Sequence, residues 1–183
     1  MKYHSTRDKS KSLTGGEAII KGISEDGGLF VPESIPKLPG TENMLEMSYQ
    51  EIAQMILGMY LTDFTSDEIK EAVEQAYDSK FESDEIVPLV VKGEAVFLEL
   101  FHGPTFAFKD MALSILPYLL KTALKKNGIK DEVVILVATS GDTGKAALEG
   151  FKDVPGTKVI VFFPEDGVSP IQRKQMLTQE GDN

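Results

Sequence analysis

Glu132-Val133-Val134-Ile135-Leu136-Val137-Ala138, running into Thr139-Ser140-Gly141-Asp142-Thr143-Gly144, decides the fold. Val133 to Ala138, after Glu132, form an apolar, β-branched run of strand length. Small and hydroxyl-bearing residues interrupt it, a short helical stretch continues to Phe151, and a second β-branched run follows from Thr157 to Phe163. Two such runs flanking a helix mark a βαβ unit, and so a parallel sheet with a crossover connection. Beyond it, Ser169-Pro170 reads as a helix start with proline at the first position.

Upstream of this unit, Ala95 to Leu100 reads as a strand. A helical pattern from Asp110 to Lys126 carries Met111, Ile115, Leu116, Leu119 and Leu120. Pro117 lies inside that pattern and should kink the helix or end its first half, because proline removes a backbone donor. Two capping boxes, Ser48-Tyr49-Gln50-Glu51 and Thr65-Ser66-Asp67-Glu68, predict helices over 49–61 and 66–78. Ile52, Met55, Ile56, Met59 and Tyr60 share one face of the first, and Ile69, Ala72, Val73, Ala76 and Tyr77 one face of the second. These stripes read as core. Nearer the start, Asp26-Gly27-Gly28-Leu29-Phe30-Val31-Pro32 predicts a tight turn before a short strand. Pro32, Pro36, Pro39 and Gly40 then make an extended connection. The character of the chain changes near residue 90. The expected architecture is α/β: a small, mostly helical segment over 1–92, then the start of a parallel-sheet lobe over 93–183.

The 183 residues include 19 Lys and Arg against 29 Asp and Glu, a net charge of −10. Such a balance argues against nucleic acid or an anionic membrane as partner, since both depend on dense basic patches. A small anion in a local basic pocket stays open. With no Cys, and only His4 and His102, a disulfide framework, a thiolate zinc site, a cysteine nucleophile and a multi-histidine metal centre are excluded. No metal site is expected. Met1 to Thr14 is polar, without the apolar stretch of an export signal, and the longest apolar run, Val133 to Ala138, is far too short to span a bilayer. The expected location is the cytoplasm.

Two segments could carry chemistry. In Leu100-Phe101-His102-Gly103-Pro104-Thr105-Phe106-Ala107-Phe108-Lys109-Asp110, one lysine stands among three phenylalanines at a strand-to-helix junction. Apolar surroundings disfavour the ammonium form and leave an amine able to act as nucleophile or base. The alternative is a lysine whose stem covers the rings while its charge reaches water. The second segment, Thr139 to Gly144, is either an ordinary turn or an anion cradle at a helix N-terminus. It is not a nucleotide P-loop, because Thr139 stands where the first glycine should be and Ala146 follows Lys145; nor does it fit G-x-G-x-x-G. Asp142 is out of place in an anion cradle unless it has a separate task.

Together with Asp26 to Pro32 and with Ser169-Pro170-Ile171-Gln172, these segments resemble the threonine synthase family along the whole chain. The resemblance implies the type II pyridoxal-phosphate fold and conversion of O-phosphohomoserine and water to threonine and phosphate, a lyase reaction of threonine biosynthesis. It implies that Lys109 forms the internal aldimine with pyridoxal 5'-phosphate and shuttles protons, and that Asp142 faces the cofactor ring oxygen, where many relatives of this fold carry asparagine. Ser140, Gly141 and Thr143 match the loop that receives the substrate carboxylate. Lys145, with Arg173 and Lys174, is a local cation for the substrate phosphate or else a solvated surface charge. Members of the family are much longer, and their glycine-rich loop for the cofactor phosphate and their contact to the pyridine nitrogen lie downstream. The expectation is that this chain is an N-terminal portion, inactive alone. Two other readings compete: another type II lyase such as a serine or threonine dehydratase, and a non-catalytic domain that keeps the fold.

Overall fold

In the computed structural model, which describes residues 1–183, the elements follow in the order β1 (Tyr3–Ser5), α1 (Gly15–Lys21), β2 (Phe30–Pro32), α2 (Tyr49–Tyr60), α3 (Ser66–Ala76), β3 (Leu89–Lys92), β4 (Ala95–Leu98), α4 (Asp110–Leu113), α5 (Leu116–Lys126), β5 (Val133–Ala138), α6 (Asp142–Gly150), β6 (Thr157–Phe162) and α7 (Pro170–Leu177). They form two compact units, Met1–Ala76 with Tyr118–Ile129, and Tyr77–Pro117 with Lys130–Asn183. No helix is long and apolar enough to cross a membrane.

In the first unit, β1 pairs antiparallel with β2, Tyr3 opposite Pro32 and Ser5 opposite Phe30. Both predicted capping boxes are present: Ser48 Oγ accepts from Glu51 N–H while the Glu51 carboxylate accepts from Ser48 N–H, and Thr65 and Glu68 do the same. The stripes they start are buried unequally. Ile69, Ala72, Val73 and Ala76 of α3 are buried, whereas α2 buries none of its residues fully. The small residues of α3 let its neighbours come close, while the long Met and Ile side chains of α2 stay half-covered. α1 rests on a contact distant in sequence. Its Gly15 and Gly16 N–H groups donate to the two oxygens of Asp63, a carboxylate placed at the positive end of the helix. A Cβ on Gly15 would meet Leu61 and Asp63 at 2.8 and 2.9 Å, so only glycine allows that approach.

In the second unit, β3 and β4 form a hairpin turned at Gly93 (φ +62°). The predicted βαβ unit is there: β5 and β6 are parallel and in register, from Val133 opposite Thr157 to Ala138 opposite Phe162, with α6 between them in sequence. Alternate residues of both strands face opposite ways. Val134, Leu136, Ile160 and Phe162 lie on the exposed side. α6 buries Gly144, Ala146 and Ala147, and the chain leaves it through the fully buried Phe151. Pro117 divides the predicted 110–126 helix into α4 and α5. It falls at the second position of α5, where a missing N–H costs nothing because no partner exists for it within the helix.

Candidate functional site

Lys109 stands at the end of the loop that joins β4 to α4, at the N-cap position with helical backbone angles. That loop is tightly determined. The carboxylate of Asp110 accepts from Thr105 N–H at 2.8 Å and from Thr105 Oγ1 at 2.6 Å. Phe106 takes a left-handed conformation, φ 59°, which costs a non-glycine residue on the order of 1–3 kcal/mol and persists only where its surroundings impose it. The aromatic shell around the lysine is more open than its sequence suggests: Phe101, Phe106 and Phe108 are 50%, 61% and 57% exposed. Phe108 alone lies against the ammonium, with Lys109 Nζ 4.7 Å from the ring centroid. His102 stacks on Phe101 and bonds Glu99 at 2.8 Å through Nε2, a role in shaping the turn.

The opposite wall is the β5–α6 junction. Thr139 Oγ1 accepts from the N–H groups of Gly141 and Gly144, both at 3.1 Å, and so folds the loop back on itself. With the Gly144 N–H taken in this way, the N–H groups of Asp142 and Thr143 remain at the start of α6 to meet an anion. A Cβ on Gly141 would lie 2.7–2.9 Å from the Gln172 amide. That amide donates to Asp142 Oδ1 at 2.6 Å, which is the separate task that a carboxylate beside an anion cradle requires. Lys109, residues 138–143 and Gln172 line one cleft of about 350 Å³.

Of the residues singled out in the sequence, then, Lys109, Ser140, Gly141, Asp142 and Thr143 meet in one place. Lys145 does not line the cleft: its ammonium bonds Glu149 Oε2 at 2.9 Å and also Gln179 Oε1. Arg173 and Lys174 are exposed on α7, outside the cleft lining. In the sequence Gln172 stands out only as part of the Ser169-Pro170-Ile171-Gln172 motif. Its signal was its place as the third helical residue after the Ser169 cap, which Ser169 Oγ and the Gln172 amide complete.

The Lys145–Glu149 tie has a pH signature. Burial raises the Glu149 carboxyl, but the hydrogen bond and charge of Lys145, helped by Gln179 and Lys152, outweigh it and hold the group below its ordinary 4.5. A carboxylate held low in the folded chain adds stability above its unfolded value and loses it as pH falls through the folded one. Glu149→Gln is therefore expected to destabilise at neutral pH by at most about 1 kcal/mol after solvent screening. The difference from the parent should shrink as pH falls below 4.5 and vanish only below the lowered folded value, as denaturant midpoints measured across that range will show.

A sequence model described as threonine synthase N terminus matches residues 2–77. The threonine synthase of Schizosaccharomyces pombe is 43% identical over 187 aligned residues, which cover 96% of this chain and 36% of the relative. The threonine synthase of Pseudomonas aeruginosa is 39% identical over all of this chain and 39% of its own length. Among solved structures, a threonine synthase from Brucella melitensis described as PLP bound superposes with a TM-score of 0.86 at 36% identity, over 96% of this chain and 38% of that one. The chain thus spans well under half the length of the relatives it matches.

Proposed function

Since the chain belongs with the N-terminal portion of the threonine synthases, which have the type II pyridoxal-phosphate fold, we propose that Lys109 is the amine to which pyridoxal phosphate attaches. In the same reading, Ser140, Gly141 and Thr143 receive the carboxylate of O-phosphohomoserine, the substrate of a lyase reaction that forms threonine and phosphate. One observation carries the reading. Lys109 and the 139–143 loop, thirty residues apart in sequence, line a single cleft of about 350 Å³.

The residues present fit such a group. An amine stands on one wall. The other offers backbone donors at a helix N-terminus, and the missing Cβ of Gly141 makes room for the Gln172 amide that holds Asp142. When bound, pyridoxal phosphate supplies an electron sink for charge developing on the substrate carbons. Lys109 Nζ holds and moves the protons at those carbons, a task suited to a lysine at the mouth of a cleft. With the group bound, Asp142 would face its ring oxygen, as the family resemblance implies, while Gln172 keeps one of the Asp142 carboxylate oxygens occupied and the neighbouring N–H groups would be left to the substrate. Lys145, held by Glu149 and Gln179, braces α6 in this reading and does not meet the substrate.

The test is the absorbance of the 183-residue chain mixed with pyridoxal phosphate. The parent should give a visible band displaced from that of the free aldehyde, and Lys109→Ala should abolish it. An unchanged band in Lys109→Ala would refute the assignment.

A further inference from the structure

The one buried carboxylate beside the cleft has no part in the chemistry proposed above. Asp110 is 2% exposed, and it takes part in none of the chain's ion pairs. Burying a carboxylate without a cation is costly. Asp110 is the first residue of α4, after Lys109 at the N-cap, and its oxygens bond Thr105 outside that helix. Stability of the four-residue α4 therefore does not account for this side chain, and its geometry does. Both oxygens are taken by one residue, Thr105, through its N–H at 2.8 Å and its hydroxyl at 2.6 Å. Gly103 is pressed onto the same carboxylate, since a Cβ there would lie 2.6 Å from Asp110 Cβ and Oδ2. Phe106, between Thr105 and Asp110 in sequence, is held in the left-handed region, and Lys109 immediately precedes the carboxylate residue. A carboxylate accepts at both oxygens without needing a donor of its own, so it closes on both Thr105 donors at once.

We propose that Thr105 and Asp110 form a clasp that positions Lys109 at the cleft, with Asp110 and Thr105 acting as positioning residues. The clasp fixes the backbone on both sides of the lysine, so that its stem leaves the loop toward residues 139–143 and not into solvent. This inference rests on the reading of Lys109 as the attachment point of pyridoxal phosphate.

The test uses the 183-residue chain, pyridoxal phosphate as probe, and borohydride. The amine adds to the aldehyde carbon with loss of water, and hydride from borohydride plus a solvent proton converts the C=N bond to a stable secondary amine. Peptide mapping then gives the rate of labelling at Lys109 relative to an exposed lysine such as Lys125, which serves as an internal standard that a purely structural change would not move. Circular dichroism identifies the folded variants. Thr105→Ser, which keeps both hydrogen bonds, should label as the parent does. Thr105→Val, which loses the hydroxyl bond, and Asp110→Ala, which loses both, should lower the Lys109 preference about ten- to a hundredfold. Asp110→Asn should fall between, because one of its two polar atoms is a donor. If folded Thr105→Val and Asp110→Asn label Lys109 at the parent's relative rate, the clasp has no positioning role although the Lys109 assignment stands. If the parent itself labels Lys109 no faster than Lys125, the assignment fails and the clasp fails with it.

Discussion

Phe151→Ala is expected to cost about 3–5 kcal/mol of stability, the usual penalty for emptying a buried aromatic site. Phe151 has no exposed surface and is the largest fully buried side chain of the molecule. It also ends α6. Its N–H donates to Ala147 O, and its carbonyl accepts from Val154 N–H at 3.1 Å and from the Asn183 side-chain amide at 2.8 Å. The ring is thus fixed by backbone bonds on both sides, and the walls of an alanine site could collapse only by giving these up. Denaturant midpoints of parent and variant measure the loss. A change below about 1 kcal/mol, the level of a surface substitution, would show that the second unit is not built on this side chain.

Gly150→Ala should also destabilise, although alanine is the better helix former. Alanine gains about 1 kcal/mol over glycine within a helix. Here an added Cβ would lie 2.2 Å from the carbonyl oxygen of Leu113 and 3.0 Å from its carbon, so α6 would be pushed off the end of α4. The obstacle is backbone and cannot rotate away. Overpacking of this kind costs about 1–3 kcal/mol beyond the propensity gain. α4 begins next to Lys109 and α6 at Asp142, so the same displacement would part the two walls of the cleft. Gly58→Ala provides the contrast. Its Cβ would meet nothing closer than Ile69 Cδ1 at 3.9 Å, and that exposed position in α2 should gain roughly 0.5–1 kcal/mol. Opposite signs for one substitution at two helical glycines would establish that close approach, and not helix propensity, decides at Gly150.

What could be read in the sequence was what nearby residues determine. The two capping boxes located α2 and α3 to within two residues at either end, since a cap is a contact made within one helical turn. The β-branched runs on either side of Thr139–Gly144 gave β5 and β6, and Pro117 gave the break between α4 and α5. α1 carries the same signal, Thr14 and Glu17 forming a complete box, but the sequence reading places no helix there, and its Gly15-Gly16 start is held by Asp63, which accepts from both N–H groups. The site divided along the same line. Lys109 and the Ser140 loop stood out by residue type and by their places at strand-to-helix junctions, and the roles proposed for them came only with the family resemblance. The retention of Lys145 by Glu149 and Gln179, the amide of Gln172 on Asp142, and the burial of Asp110 are contacts that only the folded chain creates. The open aromatic shell around Lys109 belongs to the same class, because a run of phenylalanines does not show which of them will be covered.

The most direct measurement is where pyridoxal phosphate becomes attached. The 183-residue chain is incubated with it, reduced with borohydride and digested, and the modified peptides are sequenced by mass spectrometry. The cleft formed by Lys109, residues 138–143 and Gln172 predicts that the label resides on Lys109 and that Lys109→Ala removes it without moving it to another lysine. Label spread over the exposed lysines, with Lys109 unmodified in the folded parent, would contradict it.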